Sequence, residues 1–260
     1  MGTVSKALKL LDYFSNDLPE IGLTQFTRLT GHNKATVLRL LTELVEMGFL
    51  EQDMERKTYR LGPAVLRLAN VREQTFPAQE AARPILAALC ETTTETVHLS
   101  MLEGETLSTI AQQETLKHGT RVMIDPAVRL PLHATASGKA VMAFQQSGAL
   151  NEWLETPFES FTSETVTDAE VLRSEISEAR QTGFGRSRDG FEKEVYGIAA
   201  PIFDAKGTAI GAVAVATPSS RLDAELIGII EVALRKASQQ LTKEWGGITP
   251  VALLEEWKNA

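Results

Sequence analysis

The chain has 260 residues, 43% of them apolar, and its 26 Lys/Arg against 34 Asp/Glu leave a net charge of −8. That length suits one large domain or two ordinary ones, and the acidity excludes a general nucleic-acid coat while permitting a local basic patch. No apolar run reaches the roughly 18 residues a membrane helix needs, no secretory leader is expected, and the single cysteine, Cys90, excludes an internal disulfide framework, so a reducing cytoplasm is the expected setting.

A first helix is expected from a Thr3 cap, burying Val4, Ala7, Leu8, Leu11 and Phe14 and ending at Asp17-Leu18-Pro19-Glu20. Residues 23–50 read as two helices joined by a tight turn. Leu23, Phe26 and Leu29 share one side of the first, and Gly31 breaks it, because glycine turns left-handed cheaply. Asn33 is the expected cap of the second, where Val37, Leu40, Leu41, Leu44 and Val45 form one buried stripe. Lys34, Thr36 and Arg39 lie off that stripe near the helix start, where a recognition helix meets a major groove. Gly48 stops the helix.

Residues 49–52 and 58–61 can pair as strands around the charged turn 53–57. A hairpin directly after a helix-turn-helix is a wing, from which Arg56, Lys57 and Arg60 can meet phosphates. The plain alternative is a helical hairpin with a solvated turn; helix, turn, helix, glycine stop and basic hairpin in this order point to double-stranded DNA. Residues 1–75 hold ten Lys/Arg against nine Asp/Glu, net +1, which leaves the remainder at net −9. One copy should therefore bind DNA weakly, and a dimer or larger assembly is expected.

Pro63 opens a short helix over residues 64–73, which reads as a linker closed by Phe76-Pro77. Beyond it a helix is expected over 78–92, with Ile85, Leu86, Leu89 and Cys90 inward, followed by strands over 95–102 and 106–112 that turn at Gly104. A short strand at 121–124, a helix over 134–146 and a shorter one at 151–154 come next. Thr167 or Asp168 caps a helix running to 182, with Val171, Leu172, Ile176 and Ala179 inward and Gly183 as its stop. Strands follow over 183–189, 195–204 and 208–216, the last two joined by the turn Ala205-Lys206-Gly207, and a helix over 222–244 closes the domain. The class is α+β, a mainly antiparallel sheet covered by helices. Gly246-Gly247 opens a tail, with a small amphipathic helix over 250–257.

No metal site is expected, because His32, His98, His118 and His133 are scattered without ligand spacing. Cys90 with His98 as its base is a conceivable nucleophile, but its apolar helix face marks a packed core cysteine. Ser137-Gly138-Lys139 lacks the first glycine of a phosphate loop, and Ala140 replaces the hydroxyl that would hold magnesium. The stretch 129–143, RLPLHATASGKAVMA, gathers Ala134, Thr135, Ala136, Ser137 and Gly138 where a helix begins. Free amides there attract an anion, a carboxylate above all; equally, small residues let a helix pack tightly on a sheet.

Five motifs carry a resemblance: NKATVLRLLTELVEMGFLEQD followed by TYRLG, then AARPILAALCETTTETVHLSMLEG, LPLHATASGKAVMA and GIAAPIFDAKG. In this order and spacing the chain resembles an IclR-family transcriptional regulator over about residues 3–245. The resemblance implies a winged helix-turn-helix (1–62), a linker helix (63–76), a GAF- or PAS-like effector domain (77–245) and a tail (246–260). It implies a homodimer or homotetramer on an inverted-repeat operator, controlled by a small organic acid and regulating catabolic genes, with no catalysis and no cofactor. The anion-contacting amides would be those of Ala136 and Ser137, with His133 and Thr135 beside them. Val122, Leu130, Val195, Gly197, Ala214 and Ala216 would form the walls. Where the family often has an acidic pair this chain has Ser187-Arg188-Asp189-Gly190, and where it often has cysteine and serines the chain has Gly197, Ala214 and Ala216. Those departures remove polar groups and add room, so a bulkier or more apolar acid is expected, aromatic acids included, with Ser187 or Asp189 at its polar end. The alternatives are a constitutive DNA-binding protein with an empty sensor domain and a small-molecule enzyme.

Overall fold

Helix α1, Thr3–Leu11, opens a computed structural model that describes residues 2–14, 18–75 and 77–259. The chain divides into two units, Met1–Pro77 and Ala78–Ala260. Asp17 and Phe76, expected to help end the first helix and the linker, lie outside the described residues.

The buried face of α1 differs from the expected one. Leu10 is buried, with Ala7, Leu11 and Phe14 packed beside it, whereas Val4 and Leu8 are 72% and 49% exposed. Leu10, left out of the expected stripe, completes an equally good helical spacing with Ala7, Leu11 and Phe14, and this is the phase that the core selects. Gly2 rather than Thr3 takes the cap position, without a side-chain bond. A two-residue strand, β1 (Ile21–Gly22), leads into α2, Leu23–Thr30. Gly31 stands at φ +66 beyond it, the left-handed turn that its sequence position demands. Helix α3, Lys34–Glu46, is capped by Asn33, whose Oδ1 accepts from the Thr36 amide at 2.8 Å. Val37, Leu40, Leu41 and Leu44 are buried with Phe26, and the Tyr59 ring meets Phe26 edge-on. Strands β2 (Leu50–Asp53) and β3 (Thr58–Leu61) form the antiparallel hairpin, and β1 adds to it in the order β1-β3-β2. Helix α4, Pro63–Thr75, follows.

The second unit begins with α5, Ala78–Thr93, and the hairpin β4 (Thr96–Glu103) and β5 (Thr106–Gln113). No strand forms at 121–124. The Val122 carbonyl accepts from the Thr96 hydroxyl at 2.7 Å, so a side chain anchors this segment, and β6 (Leu130–Pro131) takes the sheet edge instead. Then come α6 (Ala136–Met142), α7 (Ser147–Glu155) and α8 (Ala169–Thr182). Asp168 caps α8 and Gly183 ends it at φ +80, while Val171, expected inward, is half exposed. Strands β7 (Gly185–Arg188), β8 (Val195–Phe203) and β9 (Ala209–Pro218) lead to α9, Ala224–Glu244, and α10, Val251–Asn259.

The six strands run in the order β6-β5-β4-β9-β8-β7, every neighbouring pair antiparallel. Helices α5 and α9 pack together and against β4, β5, β8 and β9, while α6 packs on β5 to β9 and on α8. Strand alternation sends successive side chains to opposite faces. Thr96, His98 and Ser100 of β4 share the face on which His98 meets α6.

Candidate functional site

In the first unit, Lys34 and Arg39 are exposed on α3 and Thr36 is half-buried, its amide held by Asn33. Neither Lys34 nor Arg39 forms an ion pair among the described residues. In the hairpin, Lys57 occupies the turn at φ +54. Arg60 donates from Nε to Glu51 at 2.9 Å, and Arg56 lies 3.6 Å from Glu20. Both arginines are exposed and their carboxylates partly so, and a phosphate can displace either carboxylate at little cost.

In the second unit a cavity of about 150 Å³ lies between α6 and the sheet. A space of that size, about 150 Å³, holds a benzene ring. Ten of the twelve residues expected around an effector line it: Val122, Leu130, Thr135, Ala136, Ser137, Ser187, Val195, Gly197, Ala214 and Ala216. The structure does not bring His133 and Asp189 into the wall. His133 turns to the loop before α8, with Nε2 2.8 Å from the Glu159 carbonyl and its ring on Phe158. Asp189 sits in a left-handed turn, and its carboxylate accepts from the Ser219 hydroxyl at 3.0 Å. The Ser187 hydroxyl is committed as well, donating to the Ala134 carbonyl at 2.7 Å.

The small residues of α6 serve packing and lining at different positions. A Cβ on Gly138 would stand 2.1 Å from the Leu132 carbonyl oxygen, and one on Gly185 would stand 2.2 Å from that of Ala136. Contact this close needs glycine on both sides of the helix. Gly197 adds no room, contrary to expectation, because a Cβ there would come within 3.0 Å of the Ala136 methyl, and α6 already fills the gap. Thr135 caps α6 by accepting from the Gly138 amide at 3.0 Å. The amides of Ala136 and Ser137, at the first two helical positions, have no carbonyl a turn earlier to bind.

The residue that sequence reasoning missed is His98. It is 8% exposed, lines the cavity, and places Nε2 3.3 Å from the Ser137 hydroxyl. Its Nδ1 has no hydrogen-bond partner among the described residues. Burial pushes its pKa down to about 4, so the ring is neutral near pH 7. Phe191, Asp125 and Glu192 also line the cavity. The signal for His98 was present in the alternation of β4, but that pattern does not say which face meets α6. Cys90 is buried, and burial first, then Glu95, raises its thiol pKa, which disfavours the nucleophilic thiolate. Among the described residues no group of three or more His, Cys, Asp or Glu is placed to hold a metal.

Residues 3–54 match the family model described as IclR helix-turn-helix domain, and residues 74–243 match that described as Bacterial transcriptional regulator IclR C-terminal. The chain belongs to the IclR family. It is an IclR-type DNA-binding transcriptional regulator, with an N-terminal helix-turn-helix domain and a C-terminal effector domain. It is 30% identical over 241 residues to the HTH-type transcriptional regulator BhcR of Paracoccus denitrificans, covering 92% of this chain and 85% of that protein. A crystal structure of an IclR transcriptional regulator from a Silicibacter species is 46% identical with a TM-score of 0.78, covering 97% of this chain and 99% of that one. An IclR homologue from Microbacterium hydrocarbonoxydans, solved with 4-hydroxybenzoate, shares the fold at 23% identity and a TM-score of 0.57, over 94% of this chain and 99% of that one. No helix among the described residues is long and apolar enough to cross a membrane.

Proposed function

We propose that this IclR regulator senses a small single-ring carboxylic acid in the cavity beneath α6, and that binding changes its affinity for an operator beside catabolic genes. The observation that carries this reading is the cavity, ring-sized and mostly apolar, with Ala136 and Ser137, the first two residues of α6, in its wall. The carboxylate lies toward those amides, and the ring lies against Val122, Leu130, Val195 and Ala214. The reading gives residues 1–62 to the winged helix-turn-helix, 63–76 to the linker, 77–245 to sensing and 246–260 to the tail.

On DNA, Lys34, Thr36 and Arg39 work in the groove, and Arg56, Lys57 and Arg60 meet phosphates. A homodimer on an inverted repeat, pairing further into a homotetramer, is favoured by α4, where Leu66, Leu68 and Val71 are each exposed on a short helix. The protein acts in the cytoplasm and catalyses no reaction. The acid shifts the equilibrium between arrangements of the dimer only by binding one better than the other.

A calorimetric screen of the full chain against monocyclic aromatic acids and small hydroxylated acids tests the ligand class. Binding of aromatic acids is expected; binding of hydroxylated acids alone rules the class out. Operator affinity is then measured with the bound acid at saturation. An unchanged affinity would leave a constitutive DNA-binding protein.

A further inference from the structure

No lysine or arginine lines the cavity among the described residues, and its two carboxylates, Asp125 and Glu192, are exposed. Lys139, although on α6, is turned onto Glu175 of α8 at 2.7 Å. A carboxylate entering this space sheds its water without meeting a fixed countercharge, which burial penalises. One lining side chain can become a cation on demand, and that is His98. Facing it are Ser137 of α6, Thr96 and Ser100 of its own strand, Gln112 across on β5 and Ala214 across on β9. None of these is charged, so nothing on the surrounding elements supplies the missing positive charge before the ligand arrives.

We propose that His98 takes up a proton from solvent as an acidic effector binds, so that an imidazolium formed on binding, rather than a fixed cation, holds the carboxylate. This rests on the reading of the cavity as an acid site. The step balances as imidazole plus a bulk proton giving imidazolium, with the effector remaining a carboxylate. Protonation also reorganises Ser137. Both ring nitrogens of an imidazolium are donors, so the Ser137 oxygen accepts from Nε2 and its own hydrogen is released toward the carboxylate. In the free protein burial keeps the ring neutral. The anion and the proton therefore enter together, and acid affinity rises as pH falls.

The test is titration of the full chain with benzoate at pH 6.5, in two buffers of different ionisation enthalpy, with phenol as the neutral comparator. Uptake near one proton is expected with benzoate and none with phenol. Benzoate affinity should weaken close to tenfold per pH unit between pH 6 and 7, following proton linkage. His98→Gln should bind benzoate more weakly, with no uptake and a flat pH profile. Uptake retained in His98→Gln would place the proton on the ligand and overturn the proposal, as would absence of uptake in the unaltered protein. Histidine ring NMR of the unaltered protein is decisive where His98→Gln does not fold or bind. One ring moving from the neutral to the imidazolium position on adding benzoate supports the proposal, and no such movement overturns it. Failure of the unaltered protein to bind benzoate at all removes the acid reading itself, a distinguishable result.

Discussion

The Trp257 indole donates from Nε1 to the Thr182 carbonyl at 2.9 Å while its ring stacks on Phe184. The tail thus closes over the end of α8 and the start of β7, the strand that carries Ser187 to the cavity. Trp257 is 7% exposed, and truncating a buried aromatic of this size costs about 3–5 kcal/mol. Trp257→Ala should destabilise the second unit by that amount and lower its denaturant midpoint accordingly. A midpoint unchanged within error would show that the tail is not part of the folded unit.

Arg39 stands on the outer face of α3 with no ion pair among the described residues, whereas Arg56 and Arg60 are engaged with Glu20 and Glu51. Arg39→Ala should reduce binding to the operator by about 1–3 kcal/mol if it reads a guanine, and should lower the ratio of operator to random-DNA affinity. Lys57→Ala should weaken all sequences alike and reduce the salt slope by about one. Competition binding at several salt concentrations separates the two. An unchanged operator-to-random ratio for Arg39→Ala removes its base-reading role.

Gly185 allows β7 to touch α6. A Cβ there would meet the Ala136 oxygen at 2.2 Å and the Ala140 nitrogen at 2.5 Å, both backbone atoms that cannot swing aside. Gly185→Ala should destabilise the second unit by about 1–3 kcal/mol, the range for overpacking. Gly148, in α7 with nothing within 4 Å of its added methyl, is the control. Gly148→Ala should be neutral or stabilising by up to about 1 kcal/mol, because alanine is the better helix former. Thermal melts of the two variants should therefore move apart.

The neutral His98 also makes the free protein sensitive to acid. Its folded pKa of about 4 lies below the unfolded value of 6.5. Below 6.5 the unfolded chain binds a proton that the folded chain resists, so stability is full above 6.5 and falls as pH drops toward 4. The full effect is about 3 kcal/mol, because each tenfold difference in proton affinity between the folded and unfolded chains is worth about 1.4 kcal/mol. His133, also lowered by burial first, adds in the same direction. His98→Gln should flatten most of this slope in unfolding measurements between pH 7 and 4.5. A slope identical to that of the unaltered protein would mean that His98 already titrates freely.

Local chemistry was legible in the sequence. Asn33 and Asp168 cap helices, Gly31, Gly183 and Gly207 take positive φ where a chain must turn, and the wing hairpin lies within a residue of its expected place. These follow from interactions between residues a few positions apart, which composition and spacing encode directly. Residue chemistry picked out Thr135, Ala136 and Ser137 at the start of α6, and the resemblance to the family added seven more of the residues that line the cavity. Tertiary structure alone decided the rest. It selected the phase of α1, added β1 to the wing sheet, and left residues 121–124 without a strand. It also exchanged His133 and Asp189 for His98 at the cavity. The period of a helix or strand tells which side chains share a face, and it is silent on what covers that face. His98 and Ser137 are 39 positions apart, and only the packing of α6 across the sheet places an imidazole and a hydroxyl side by side at the wall of one small cavity.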